Sequence, residues 1–157
     1  MKVILLSIGK TDDVEIRIIL DKYIKRLGHY LPFEYTEIPD LKNTKNLSDK
    51  EQKKQEGEFI LKQLQPSDYL VLLDDKGKEF SSVAFSQYLE QKSNSGIRRI
   101  VFVIGGPYGF SDEIYARANE KLSLSRMTFT HQMVRVIFVE QLYRAMTILN
   151  HEPYHHE

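Results

Sequence analysis

Short apolar runs rich in β-branched residues recur along the chain, and stretches with helical spacing separate them. Val3-Ile4-Leu5-Leu6-Ser7-Ile8, Tyr69-Leu70-Val71-Leu72-Leu73 and Arg99-Ile100-Val101-Phe102-Val103-Ile104 are the clearest runs. Successive side chains of a strand point to opposite faces, so a strand that is apolar throughout must be covered on both sides. Such strands alternating with helices predict an α/β fold, a mostly parallel sheet with helices on both faces. Phe33 to Ile38, closed by Pro39, reads as a further strand, and Leu122 to Ser125 as a short fifth one.

The intervening segments carry helix signals. Asp12 is expected to cap a helix with Glu15 three residues on, and Ile16, Leu20, Tyr23, Ile24 and Leu27 follow at helical spacing up to Gly28. A polar loop spans Asp40 to Leu47. Ser48, with Glu51 at the capping-box position, opens a charged helix to about Leu64. The third strand is expected to end at Asp74 and Asp75 in a Lys-Gly turn. Helices are then expected from Ser81 or Ser82 to Gln91, from Ser111 to Asn119, and from Gln132 to Asn150.

The 157 residues contain no internal repeat and no composition shift, so residues 1–157 are read as a single domain. With 41% apolar and 28% charged residues the composition is that of a globular protein. No apolar run approaches the ~18–20 residues of a membrane span, and MKVILLSIGK is expected to be a first strand, not a signal peptide. We expect a cytoplasmic protein without membrane partners. The absence of cysteine excludes disulfides, thiolate zinc sites, iron–sulfur clusters and a cysteine nucleophile. The 22 basic residues balance 22 acidic ones. This weighs against extensive non-specific phosphate contact, although charge segregated on one face still permits a compact RNA enzyme.

In open parallel sheets ligands bind beyond the carboxyl ends of the strands, which directs attention to the loops after Leu73, Ile104 and Leu124. Gly105-Gly106-Pro107-Tyr108-Gly109 follows an apolar strand and precedes a Ser-capped helix. Its GGxxG spacing is neither the dinucleotide fingerprint nor a Walker loop, so it reads equally as a structural turn or a ligand cradle. Asp74 and Asp75 can bind a metal or exchange protons, or simply cap a strand end beside lysines. Four histidines, His131, His151, His155 and His156, lie near the C-terminus. They read as a zinc or proton-shuttle cluster or as parts of a surface tail. Pro153-Tyr154-His155 suits docking to a partner or substrate. The last helix carries an apolar face too wide for one-sided packing, so it is either central to the core or also covered by a second subunit. Glu140 and Arg144 stand one turn apart and can pair, leaving Arg135 as the freer charge, able to hold a phosphate or carboxylate.

IGGPYG after an apolar strand, LSLSRMTFTHQMVRV, EQLYRA and the terminal PYHHE together resemble the RlmH family over essentially the whole chain. These are SPOUT-class enzymes that methylate N3 of a pseudouridine in large-subunit ribosomal RNA. The resemblance implies a SPOUT fold whose C-terminal part is threaded into a trefoil knot. It also implies a homodimer that acts on the assembled ribosome and uses S-adenosylmethionine, with no metal. It implies that Leu73 and Gly105 lie against the cofactor, and that Leu124, Ser125, Arg126, Met127, Thr128 and Phe129 form the loop around its adenosyl group. N3 of a uracil ring is protonated at neutral pH and must lose its proton before it can accept a methyl group. Candidates for that work are His131, Arg135, Tyr154, His155 and Glu157. The chain departs from the family pattern at His156, where relatives tend to carry arginine or lysine, so a permanent charge gives way to a titratable one. Two other readings compete: a nucleotide- or flavin-binding module using GGPYG as a phosphate cradle, and a non-catalytic dimer with a metal-binding histidine tail.

Overall fold

The computed structural model of the protein describes residues 1–156. Strands β1 (Lys2–Ile8), β2 (Phe33–Ile38), β3 (Tyr69–Glu79), β4 (Arg99–Ile104) and β5 (Glu120–Ser123) form one sheet in the order β2-β1-β4-β3-β5. All neighbouring pairs run parallel. Helices α1 (Val14–Leu27), α2 (Asp49–Gln63), α3 (Ser82–Asn94) and α4 (Asp112–Arg117) connect the strands, and α5 (Met133–Leu149) follows β5. The α/β expectation holds.

Alternation along β1 explains the two cores. Val3 and Leu5 join Leu20, Leu27, Phe85, Phe138, Val139 and Leu142 in a core beneath α1, α3 and α5. Ile4, Leu6 and Ile8 join Ile60 and Ile114 in a second core beneath α2 and α4. The wide apolar face of α5 is therefore largely core: its Phe138, Val139, Leu142 and Ala145 are fully buried. The helix ends in a Schellman motif, with His151 in the left-handed region at φ 56°. Its N–H donates to Ile148, and that of Glu152 donates to Thr147.

Several boundaries differ from expectation. Asp13, not Asp12, caps α1 by accepting from the N–H groups of Glu15 and Ile16, while the Asp12 N–H turns to Gln132 Oε1. Helix α3 continues to Asn94, and α4 stops at Arg117 because Asn119 exchanges hydrogen bonds with the backbone of Leu70. Strand β3 does not end at Asp75. Its pairing with β5 shifts register between Leu73 and Lys78 and resumes through Glu79. Gly77 is no turn: a Cβ there would lie 2.5 Å from the backbone nitrogen of Leu122, so only glycine lets the two strands approach. Strand β5 begins at Glu120, two residues before its expected start, because the Glu120 carboxylate is tied down by Lys92, Tyr69 and Tyr88.

Candidate functional site

The middle of β3, where its pairing with β4 stops, and the carboxyl ends of β4 and β5 surround a cavity of about 490 Å³. That is within the range of small-molecule sites. Leu73, the last residue of β3 to pair with β4, and Ile104, the end of β4, stand there, and Gly105 and Gly106 turn beside them. The loop after β5 supplies Leu124, Ser125, Met127, Thr128 and Phe129, and His131 and Val134 close the wall near the start of α5. The three loops expected from strand ends thus meet at one cavity. Arg126 is not on it. Its side chain points to solvent and its Nε donates to Glu79 Oε1 at 2.8 Å.

The irregular stretch of β3 brings further groups to the rim. Asp74, Asp75 and Lys76 line the cavity, as do Tyr108 and Tyr115. Tyr115 donates to Asp74 Oδ2 at 2.5 Å, and the Lys76 N–H donates to Asp74 Oδ1 at 2.9 Å. Burial would raise the Asp74 carboxyl, but these bonds outweigh it and hold it below its ordinary value. The Tyr115 hydroxyl is pushed up by its own burial and by donating to Asp74. Tyr115 was not among the residues expected at the site. It lies one turn into a helix whose only sequence signal was its Ser111 cap, and nothing local links it to Asp74.

Arg135 is not the freer charge that its position suggested. It is 1% exposed. Its Nη1 lies 3.0 Å from Gly9 O, 2.9 Å from Thr11 Oγ1 and 3.3 Å from Glu37 Oε2, and its Nη2 donates to Ile8 O at 3.1 Å. Its Nε donates to the carbonyl of His131 at 2.9 Å. The guanidinium therefore fastens the start of α5, and with it the cavity loop, to the ends of β1 and β2.

The tail is folded onto α5 and away from the cavity. Tyr154 donates to Glu140 Oε1 at 2.9 Å, stands edge-on to Tyr143 and lies under the Arg144 guanidinium. The expected pair forms, Arg144 Nη2 donating to Glu140 at 2.6 Å. Arg144 Nη1 also lies 3.2 Å from His155 Nδ1. A guanidinium only donates, so Nδ1 accepts and Nε2 carries the ring proton. Nε2 is buried with no partner among the described residues. Burial and the bonds to Tyr23 and Glu140 raise the Tyr154 hydroxyl. Glu157 lies outside the described residues. Tyr154 and His155 are thus not brought together with His131 within one chain.

Comparison with known proteins gives a consistent result. A family model described as a predicted SPOUT methyltransferase matches residues 1–155. The chain is 62% identical over 157 residues to the "Ribosomal RNA large subunit methyltransferase H" of Parabacteroides distasonis, covering 100% of both chains. Proteins of the same name from Christiangramia forsetii and Bacteroides thetaiotaomicron are 58% identical over 156 residues and 55% identical over 157. They are covered to 99% and 100% of both chains respectively.

Proposed function

The chain belongs to the RlmH family of SPOUT methyltransferases, and from that premise we propose that it methylates N3 of a pseudouridine in large-subunit ribosomal RNA on the assembled ribosome, with S-adenosylmethionine as donor. That it is a methyltransferase of ribosomal RNA follows from the family; donor, base and ribosomal substrate are the proposal. In this reading it works in the cytoplasm as a homodimer. No helix among the described residues is long and apolar enough to cross a membrane.

The observation that carries the reading is the cavity beside Leu73 of β3 and the ends of β4 and β5. Its walls suit a nucleoside-bearing cation: apolar faces from Leu73, Ile104, Leu124 and Phe129, backbone from Gly105 and Gly106, and the carboxylates of Asp74 and Asp75 at the rim. Leu73, Gly105 and the residues from Leu124 to Phe129 would hold the cofactor, with Arg126 contributing backbone only. When bound, S-adenosylmethionine supplies an electrophilic methyl group on a sulfonium centre. The protein's remaining tasks are to align the ring nitrogen with that methyl group and to accept the N3 proton. His131, exposed on the cavity wall, would take that proton. Arg135 acts as a positioning residue through the carbonyl of His131. Tyr154, His155 and Glu157 would serve the cavity of the partner chain. Supporting a dimer, α1 and the start of α5 leave Val14, Ile18 and Met133 at 68%, 65% and 43% exposure. The C-terminal threading into a knot is also part of the proposal. It is supported by the path from β5 at one edge of the sheet back to the loop after β1, where Gln132 donates to Lys10 O at 3.1 Å.

The test is transfer of labelled methyl from S-adenosylmethionine to ribosomes from cells lacking this protein, followed by base mapping. Label on N3 of a pseudouridine in large-subunit RNA is the expected result. Cofactor binding without label would keep the class and reopen the base. Absence of both would overturn the reading.

A further inference from the structure

Glu56, in the middle of α2, is 4% exposed, and its Oε1 has no hydrogen-bond partner among the described residues. Its Oε2 accepts, among the same residues, only from Gln52 Nε2, at 3.4 Å. The carboxyl instead rests against the turn after β4. A Cβ on Gly106 would lie 2.5 Å from Oε2 and 2.6 Å from Oε1. Gly106 also lines the cavity, so the carboxyl backs one cavity wall without standing in it. The next residue, Gly57, sits as closely on Ser111, whose hydroxyl caps α4; a Cβ on Gly57 would lie 2.8 Å from that oxygen. Helix α2 therefore presses on both ends of the segment from Gly105 to Ser111.

A buried carboxylate keeps its charge only when a cation or several donors compensate it. Here Gln52 offers one long bond. The charged neighbour is Asp40, of the same sign, from the loop after β2. Burial pushes the Glu56 carboxyl above its ordinary value of 4.5, Gln52 opposes this, and Asp40 adds to it.

We propose that Glu56 is a positioning residue for the cofactor cavity: its carboxyl props the Gly105-Gly106 turn in the cofactor-accepting shape while it carries a proton, and ionisation withdraws the prop. The proposal rests on the reading of the cavity as an S-adenosylmethionine site. Folding favours the protonated form, so its contribution is complete at acid pH and is lost as pH rises through the raised titration. Where only the protonated form accepts the cofactor, affinity falls by up to about tenfold per pH unit above the midpoint. Glu56→Gln keeps the shape and removes the titration.

The experiment is calorimetric titration of S-adenosylmethionine into the whole protein, wild type and Glu56→Gln, from mildly acid to mildly alkaline pH. His131, Asp74 and Asp75 at the cavity, and Asp40 beside Glu56, are common to both proteins, so the ratio of the two Kd values reports on Glu56. The expected result is a ratio of wild-type to variant Kd that climbs with pH. In buffers of different ionisation enthalpy, the wild type should also take up a proton on binding that the variant does not. A ratio constant across pH overturns the proposal, as does a variant that binds more weakly throughout. Should the variant fail to fold, infrared spectra of the wild type above the midpoint decide: a protonated-carboxyl band gained on cofactor binding supports the proposal, and its absence overturns it. No binding by a folded wild type at any pH removes the cofactor reading itself, and this inference with it.

Discussion

Arg135 shows how far a single side chain can depart from what its neighbours in sequence suggest. On a helical wheel it is a lone cation near the start of an apolar helix. In the fold its guanidinium is enclosed by the carbonyls of Ile8, Gly9 and His131, by Thr11 and Tyr35, and by the Glu37 carboxylate. Such enclosure depends on residues about a hundred positions away, so no local pattern announces it. Glu37 is the one formal counter-charge among the described residues and also receives Arg17 at 2.6 Å and the N–H of Thr11. Burial raises its carboxyl, but the bonds from Arg17 and Thr11 outweigh burial and leave it below its ordinary 4.5. A depressed carboxyl stabilises above its unfolded value and loses that contribution as pH falls through the folded one. Glu37→Gln should therefore cost about 3 kcal/mol near neutral pH, because a buried cation loses its partner. The deficit should shrink at acid pH, where the wild-type carboxyl is protonated as well. Denaturant unfolding at a series of pH values checks this; a deficit independent of pH would show that charge is not what Glu37 contributes.

At the scale of the element, β3 carries the most information about the site. The break in its pairing with β5 between Leu73 and Lys78 turns Asp74, Asp75 and Lys76 toward the cavity, the kind of redirection that irregular strands produce beside binding sites. The pairing resumes only because Gly77 has no side chain. Gly77→Ala would drive a Cβ into the backbone of Leu122. We expect a cost of about 3 kcal/mol, the upper range of overpacking, together with weaker cofactor binding from displacement of Asp74. A drop in melting temperature without any change in cofactor Kd would separate the glycine from the site. Strands β1 and β4 were legible because their apolar, β-branched runs leave no helical alternative, and β2 as a short segment closed by Pro39. The length of β3 was not, since a Lys-Gly pair signals a turn unless a neighbouring strand is known to press upon it. The start of β5 was not either, because Glu120 and Lys121 look unlike a strand until Lys92, Tyr69 and Tyr88 are brought around the carboxylate. Within the site, the three cavity loops could be read from strand ends. Tyr115 and Glu56 could not, because what they touch comes from other elements.

For the whole molecule, the arrangement of tail and cavity is decisive. Val134 lines the cavity, whereas Glu140 and Arg144, which hold Tyr154 and His155, lie about 9 to 15 Å further along α5 at 1.5 Å per residue. Tyr154 and His155 therefore lie away from their own chain's cavity, and the proposed dimer is the economical way to unite them with it. A two-fold axis that places one tail at the partner's cavity does the same in reverse, giving two composite sites per dimer. This arrangement predicts complementation. A chain with Leu73→Arg has a blocked cavity and an intact tail; a chain with His155→Ala has the opposite defect. Each alone should transfer little or no methyl to ribosomes. Co-expressed or refolded together, half of the dimers are mixed and each mixed dimer holds one intact site, so about a quarter of wild-type turnover should return. Cofactor binding to the His155→Ala protein should be unaffected, which separates loss of chemistry from loss of fold. If mixing restores nothing while mixed dimers demonstrably form, the tail serves its own chain, and the packing of Tyr154 and His155 on α5 must open before the reaction.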